Sequence, residues 1–263
     1  MAARQPEGPP PPPVVQKLRI QYAKRGRLRF SSHRDFQRAL ERALRRAAIP
    51  MAYSAGFNPH PRISYANAAP TGTASEAEYI EIALAERREP EAVRAALDEA
   101  LPQGLDIVDV VEVTAPGQLA DRLQASVWQI EMFAGTPGEE AAEANDTAVR
   151  DVVERFLAAE RVEVQRMTKN GLRTFDAREA VLRIEVEPSV TSRPGNGCAI
   201  LSLVVRHNTP AVRPDDVLSA FRAVADFAPP SPPRVTRLAQ GLLDEADGSV
   251  TDPLVPDRDG GGA

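Results

Sequence analysis

The chain has 263 residues, with 32 Lys and Arg against 37 Asp and Glu, and its formal charge of −5 argues against a uniformly basic nucleic-acid coat protein. With 43% apolar residues it can build a packed core, while no apolar run approaches the roughly 18 residues of a membrane span. The single cysteine, Cys198, excludes an intramolecular disulfide and any Cys-rich zinc site or three-cysteine iron–sulfur cluster held by this chain alone.

No basic stretch followed by an apolar segment and a small-residue cleavage site opens the chain, so the expectation is a cytoplasmic protein without membrane contact. Residues 1–15 include five consecutive prolines, Pro9 to Pro13, and read as a disordered tail. Leu18, Ile20 and Tyr22 alternate with polar neighbours as a strand, Lys24 to Arg27 reads as a turn, and Leu28 and Phe30 resume the alternation. From His33 to Ala48 the apolar residues Phe36, Ala39, Leu40, Ala43, Leu44 and Ala47 fall at helical spacing, with Ser32 and Asp35 placed for a capping box and Pro50 just beyond. Short strands are predicted near Met51 to Ser54 and Arg62 to Ala66, on either side of the loop Gly56-Phe57-Asn58-Pro59-His60-Pro61. A strand through Ile80, Ile82 and Leu84, a helix over Glu91 to Leu101 and a strand over Leu105 to Val113 complete the first half.

Pro116 and Gly117 then interrupt the pattern, which places a boundary between residues 114 and 124. Beyond it the order repeats. Strands are predicted at Ser126 to Phe133, Arg161 to Met167, Ala180 to Val186, Ala199 to Arg206 and near Arg234 to Ala239. Helices are predicted at about Thr147 to Ala159 and Asp215 to Ala225, and Lys169-Asn170-Gly171 reads as a hairpin turn. The expected architecture is α+β, with two tandem ferredoxin-like (βαββαβ) domains of antiparallel sheet over residues 16–115 and 124–245. The Gly- and Asp-rich residues 246–263, poor in branched apolar side chains, read as a second disordered tail.

Charge is distributed unevenly. Gln16 to Arg62 carries twelve Lys and Arg against Asp35 and Glu41, a net +10 that leaves −15 elsewhere. At 100° per residue Arg34, Arg38, Arg42 and Arg45 share one quadrant of the predicted helix, opposite its apolar stripe, and Arg46 and Arg62 lie nearby in the chain. Guanidinium groups match phosphate oxygens in a planar fork, so these six arginines are the candidate nucleic-acid contacts. The bland alternative is a solvated face, with Glu41 pairing to Arg45 one turn on.

His33, at the first helical position, favours a neutral, hydrogen-bonding imidazole, while His60 is held in a proline-bracketed loop beside Asn58. Both histidines are candidate general bases, and Asn58 with His60 a candidate loop site; structural bracing is the alternative for each, since no Ser or Cys nucleophile accompanies them. No metal site is expected. Tyr22, Tyr53, Phe57 and Tyr65 are candidate stacking platforms for unpaired bases, and Arg166, Lys169, Arg173 and Arg178 could extend the basic surface. Trp128, Phe133 and Cys198 read as packing residues.

The runs Arg29-Phe30-Ser31-Ser32-His33-Arg34-Asp35, Glu41-Arg42-Ala43-Leu44-Arg45-Arg46-Ala47 and Tyr53-Ser54-Ala55-Gly56-Phe57-Asn58-Pro59-His60-Pro61-Arg62-Ile63-Ser64 closely resemble a bacterial family of uncharacterised proteins described as radical-SAM-linked. In that family the domain is fused to a radical SAM protein or encoded beside one. The chain departs from the family pattern at Ser32 and Arg34, where an apolar residue and a Leu are expected. The resemblance implies a separate radical SAM partner, whose cluster this chain with its single cysteine does not hold, so no cofactor is expected here; together with the +10 segment it leads to the expectation of an accessory RNA-binding or substrate-recognition module. Tandem ferredoxin-like domains are also similar to the metal-independent RNA endonucleases that process CRISPR transcripts, which keeps an enzyme open, with His33 or His60 activating a ribose hydroxyl. A protein–protein adaptor that meets an acidic partner through the arginine row is the third reading.

Overall fold

Leu18, Ile20 and Tyr22 bury one face of the first strand, β1 (Gln16–Lys24), in a computed structural model that describes residues 12–136, 138–168, 171–187 and 198–260. The chain forms two units. One comprises the chain up to Arg122 together with the stretch from Pro253 onward, and the other Leu123–Asp252. The architecture is mixed α+β, with mostly antiparallel sheet and five α-helices among the described residues.

In the first unit β1 is followed by a 3-10 helix (Gly26–Phe30), α1 (His33–Arg46), β2 (Ile63–Ala66), β3 (Ala74–Leu84), α2 (Pro90–Ala100) and β4 (Leu105–Glu112). β1 pairs antiparallel with β3 on one side and β4 on the other, and β2 adds antiparallel to β3, giving the order β4-β1-β3-β2. The apolar stripes of α1 and α2 pack on the Leu18, Ile20 and Tyr22 face, where Ile80, Ile82, Leu97 and Leu105 join the same core. Each such large side chain contributes about 1.5–3 kcal/mol by burial. Phe36 of α1 stacks on Tyr22 with ring centroids 4.1 Å apart.

The opposite face of β1 buries a charge. Arg19 donates to Asp257 at 2.8 Å and to Glu81 at 3.1 Å, and Arg122 donates to the same Asp257 oxygen at 2.6 Å. Asp257 also accepts from the backbone N–H groups of Thr114 and Ala115. It lies in the short helix α5 (Val255–Asp259), so residues 246–260 are not a disordered tail. They hold the strand β11 (Val250–Thr251) and a helix fixed by buried ion pairs rather than by the apolar burial that sequence composition reports. Of the expected N-terminal tail, residues 1–11 lie outside the described residues, and Pro12 and Pro13 are exposed.

Two further expectations change. Leu28 and Phe30 belong to the 3-10 helix and not to a strand, because Gly26 turns the chain at φ +54° and the Leu28 and Ser31 N–H groups close short turns. Met51 to Tyr53 make only isolated bridges, to Leu84 and Pro61.

The second unit runs β5 (Ala125–Phe133), α3 (Glu139–Ala158), the hairpin β6 (Glu163–Thr168) and β7 (Gly171–Asp176), β8 (Val181–Glu187), β9 (Cys198–Arg206), α4 (Pro214–Ala225) and β10 (Arg234–Leu243). Its sheet order is β10-β5-β9-β8, antiparallel throughout, with β11 paired to β10. Val152, Phe156, Val217 and Phe221 carry α3 and α4 onto Ile130, Leu201 and Leu203. The tip of the hairpin, Lys169-Asn170, lies outside the described residues, with Thr168 opposite Gly171 at its base. None of the helices is long and apolar enough to cross a membrane, among the described residues.

Candidate nucleic-acid interface

α1 begins where Ser32 and Asp35 close a capping box. Ser32 Oγ accepts from the Asp35 N–H at 3.2 Å, and Asp35 accepts from the Ser32 N–H at 3.1 Å. The Ser32 hydroxyl and backbone N–H, then the charge of Arg38, hold Asp35 below the ordinary carboxylate range. Downstream, Phe36, Ala39, Leu40, Ala43 and Leu44 are buried, which turns Arg34, Arg38, Arg42 and Arg45 outward. All four are exposed, and among the described residues none makes an ion pair; Glu41 does not pair with Arg45.

Four other surface cations of this unit are paired. Arg25 is held by Glu76 and Asp106, Lys17 by Glu81 at 3.0 Å, Arg87 by Glu112 at 2.7 Å and Arg94 by Glu91 at 2.7 Å. The acidic strip Glu76, Glu78 and Glu81 is thereby occupied with Arg25, the Ala69 N–H, Lys17 and Arg19, and none of it reaches the α1 row. A row of exposed guanidinium groups without ion pairs, about 16–17 Å long from Arg34 to Arg45 at 1.5 Å per residue, results on a net-acidic protein.

Arg46 stands apart from the row and donates to the Ala100 carbonyl at 3.1 Å, closing the C-terminal end of α2. Arg62 is exposed just before β2 and lines a cavity of about 380 Å³ with Lys17, Ser54, His60, Ser64 and Glu81. The loop beside that cavity is closed by the Ser54 N–H donating to the His60 carbonyl at 2.9 Å and the His60 N–H donating to Ser54 Oγ at 3.1 Å. Asn58 is exposed on it. His33 is absent from this cavity; its Nε2 meets the Gln37 amide at 3.0 Å and its ring stands edge-on to Tyr65 at 4.9 Å. Among the described residues no group of three or more His, Cys, Asp or Glu is placed to hold a metal ion.

Of the candidate stacking residues, Tyr22 is 3% exposed and belongs to the core, and Tyr65 is half-buried against Phe36. Burial, with the charge of Glu41, pushes the Tyr65 hydroxyl up to about 12. Tyr53 and Phe57 are 40% and 66% exposed. Phe30, 58% exposed with Arg29 over its ring at 4.6 Å, is a third exposed aromatic ring of this segment, which sequence reasoning assigned to a strand.

In the second unit Arg166 is tied to Asp216, and Arg178 donates to the Val181 carbonyl with its guanidinium over Phe156; Lys169 lies outside the described residues. Of that cluster, only Arg173 remains as an exposed cation without a described partner. Ser126 and His207 make an unexpected pair, Oγ to Nε2 at 2.7 Å, with His207 Nδ1 on the Leu123 carbonyl at 2.6 Å. The distance suits a nucleophile and its base, but Ser126 is 0% exposed, so no substrate reaches it and the pair braces the unit. Burial likewise pushes the Cys198 thiol up, which suits a packing role.

Among solved structures, the chain is similar to an unknown protein from Galdieria sulphuraria, at 13% identity over 80% of this chain and 92% of that one with a TM-score of 0.23. It is also similar to the encapsulated DyP-type peroxidase from Mycobacterium smegmatis, at 10% identity over 87% and 92% with a TM-score of 0.22. Likenesses at these scores carry no argument about fold or activity. No curated protein matches the chain. Residues 17–214, which include α1, its loop and the cavity, match the family described as "Uncharacterized protein conserved in bacteria (DUF2344)", and the chain belongs to that family.

Proposed function

We propose that this protein is a cytoplasmic RNA-binding module whose contact surface is α1 with Arg62, and that it acts as an accessory that presents RNA to a separate radical SAM enzyme. The observation that carries the RNA reading is the row Arg34, Arg38, Arg42 and Arg45, exposed on one helix face and without ion pairs among the described residues, whereas Arg25 and Arg87 of the same unit are paired. An acidic protein partner would be served by the same charges, but Phe30, Tyr53 and Phe57, exposed in the same segment as the row, favour a ligand with planar bases. The radical SAM partner rests on the motif resemblance of the runs over residues 29–35, 41–47 and 53–64 described above. The strand orders β4-β1-β3-β2 and β10-β5-β9-β8 support reading each unit as ferredoxin-like, the second with an inserted hairpin.

The test is a titration of labelled RNA across a salt series. Four phosphate contacts predict a log–log slope of about −3 on a single strand. Arg38→Glu combined with Arg42→Glu should abolish binding while leaving the fold intact. RNA that fails to bind at low salt, or binds the double variant as well as the parent, overturns the proposal. The RNA should stay intact during the titration; cleavage that disappears in His60→Ala or His33→Ala would replace the binding module with an endonuclease.

A further inference from the structure

We infer that the RNA bound on this surface is unpaired, with its phosphates along α1, its bases stacked on Tyr53 and Phe57, and one nucleotide in the cavity beside His60 and Arg62. This rests on the RNA reading and narrows its substrate class. Three observations within the first unit lead to it.

The arginine row does not end in open solvent. Arg45, at its C-terminal end, lines a small cleft with Glu41, Tyr53 and Pro61, and Pro61 also lines the cavity of about 380 Å³ that holds His60 and Arg62. Arg45, the Tyr53 ring and the cavity are thereby linked through Pro61. The aromatic rings are also expensive to leave in water. Phe57 is 66% exposed on a loop whose ends are tied by Ser54 and His60 and whose prolines restrict it, so the ring is presented at low entropic cost instead of folding inward. A paired duplex shields its base faces by stacking and offers only its edges and backbone, leaving such a ring nothing to cover it, whereas splayed bases stack on aromatic side chains.

The third observation is the chemistry of the cavity. Lys17 and Arg19 already satisfy Glu81, while Arg62 has no ion pair among the described residues; Ser54 and Ser64 supply hydroxyls and the half-buried Pro61 and Ile63 an apolar wall. A free cation, hydroxyls and an apolar wall fit a nucleotide's phosphate, ribose and base, and the volume falls in the range of about 300–1,000 Å³ usual for small-ligand sites.

The experiment compares three probes on the full chain: a single-stranded RNA of about twelve nucleotides, within the span of known single-strand sites, a blunt duplex containing the same sequence, and heparin. The single strand should bind at least tenfold more tightly than the duplex. Tyr53→Ala with Phe57→Ala should weaken the single strand by about tenfold or more, as loss of base stacking does elsewhere, and leave heparin unchanged. Substituting 2-aminopurine for one base should give fluorescence quenching on binding that the aromatic double variant abolishes, and Arg62→Ala should weaken the single strand more than heparin. Equal affinity for duplex and single strand, or an aromatic variant that binds and quenches like the parent, overturns this inference while leaving RNA binding standing. If no probe binds, the RNA reading itself fails.

Discussion

His207 shows how one buried side chain sets a pH response. Burial disfavours its imidazolium, and the charge of Arg237 adds to this, so its pKa lies below the ordinary value although the Leu123 carbonyl opposes the shift. The unfolded chain therefore binds a proton more readily than the folded one. The stability that His207 contributes is whole above the ordinary imidazole value of about 6.5 and is lost as pH falls through that value towards the folded one. Urea unfolding followed by Trp128 fluorescence should show the second unit weakening as pH drops from about 7.5 to about 5.5. His207→Gln should flatten that dependence while lowering stability throughout, because Ser126 and the Leu123 carbonyl lose their ring partners. An unchanged slope in the variant would remove His207 as the cause.

α5 shows the same dependence on buried polar groups at the scale of an element. Its five residues could not hold a helix alone, and among the described residues 250–260 Leu254 is the one fully buried apolar side chain. Asp257 fixes it. Desolvation opposes ionisation of that carboxyl, but the hydrogen bonds from Arg19, Arg122 and the Ala115 N–H outweigh it and hold the pKa below the usual carboxylate range. Asp257→Asn leaves two buried guanidinium groups short of a counter-ion and should cost about 3–5 kcal/mol in urea unfolding of the first unit. Arg87→Ala, which breaks an exposed pair with Glu112, should cost under about 1 kcal/mol. Since a lowered carboxyl pKa stabilises above the unfolded value of about 3.9, the Asp257 contribution should be complete at neutral pH and be lost only in acid. A loss for Asp257→Asn no greater than that for Arg87→Ala would show that α5 does not depend on the ion pairs.

These elements also mark what the chain reveals by reading alone. α1 is legible because its apolar residues, capping box and arginine quadrant are local patterns. α5 is not, since Asp257 finds Arg19 at a separation of 238 residues and Arg122 at 135, and no periodicity encodes such pairs. α3 starts at Glu139, eight residues before the predicted Thr147, because its first turns are built on alanines that favour a helix without marking an apolar stripe. The arginine row could be placed on a helix face from spacing, but its lack of counter-ions depends on where Glu76, Glu81 and Glu112 are spent in three dimensions. Phe30 was hidden by an alternation that a 3-10 turn and a strand share.

For the molecule as a whole, the question is whether total charge or its placement governs encounters with a polyanion. A net charge of −5 and a pI near 5.4 predict repulsion from heparin at neutral pH, yet the segment from Gln16 to Arg62 carries +10. Fields from exposed charges decay over about 8 Å at physiological ionic strength, so an unpaired row is felt locally before the distant acidic residues can cancel it. The chain should therefore be retained on heparin at neutral pH and released by salt. Two double variants separate the causes, because each replaces two arginines by two glutamates and so changes net charge equally. Arg38→Glu with Arg42→Glu removes the centre of the unpaired row and should flow through. Arg87→Glu with Arg94→Glu alters arginines already committed to Glu112 and Glu91, and should elute close to the parent. Equal loss of retention in both would mean that overall charge, and not the α1 surface, controls polyanion binding.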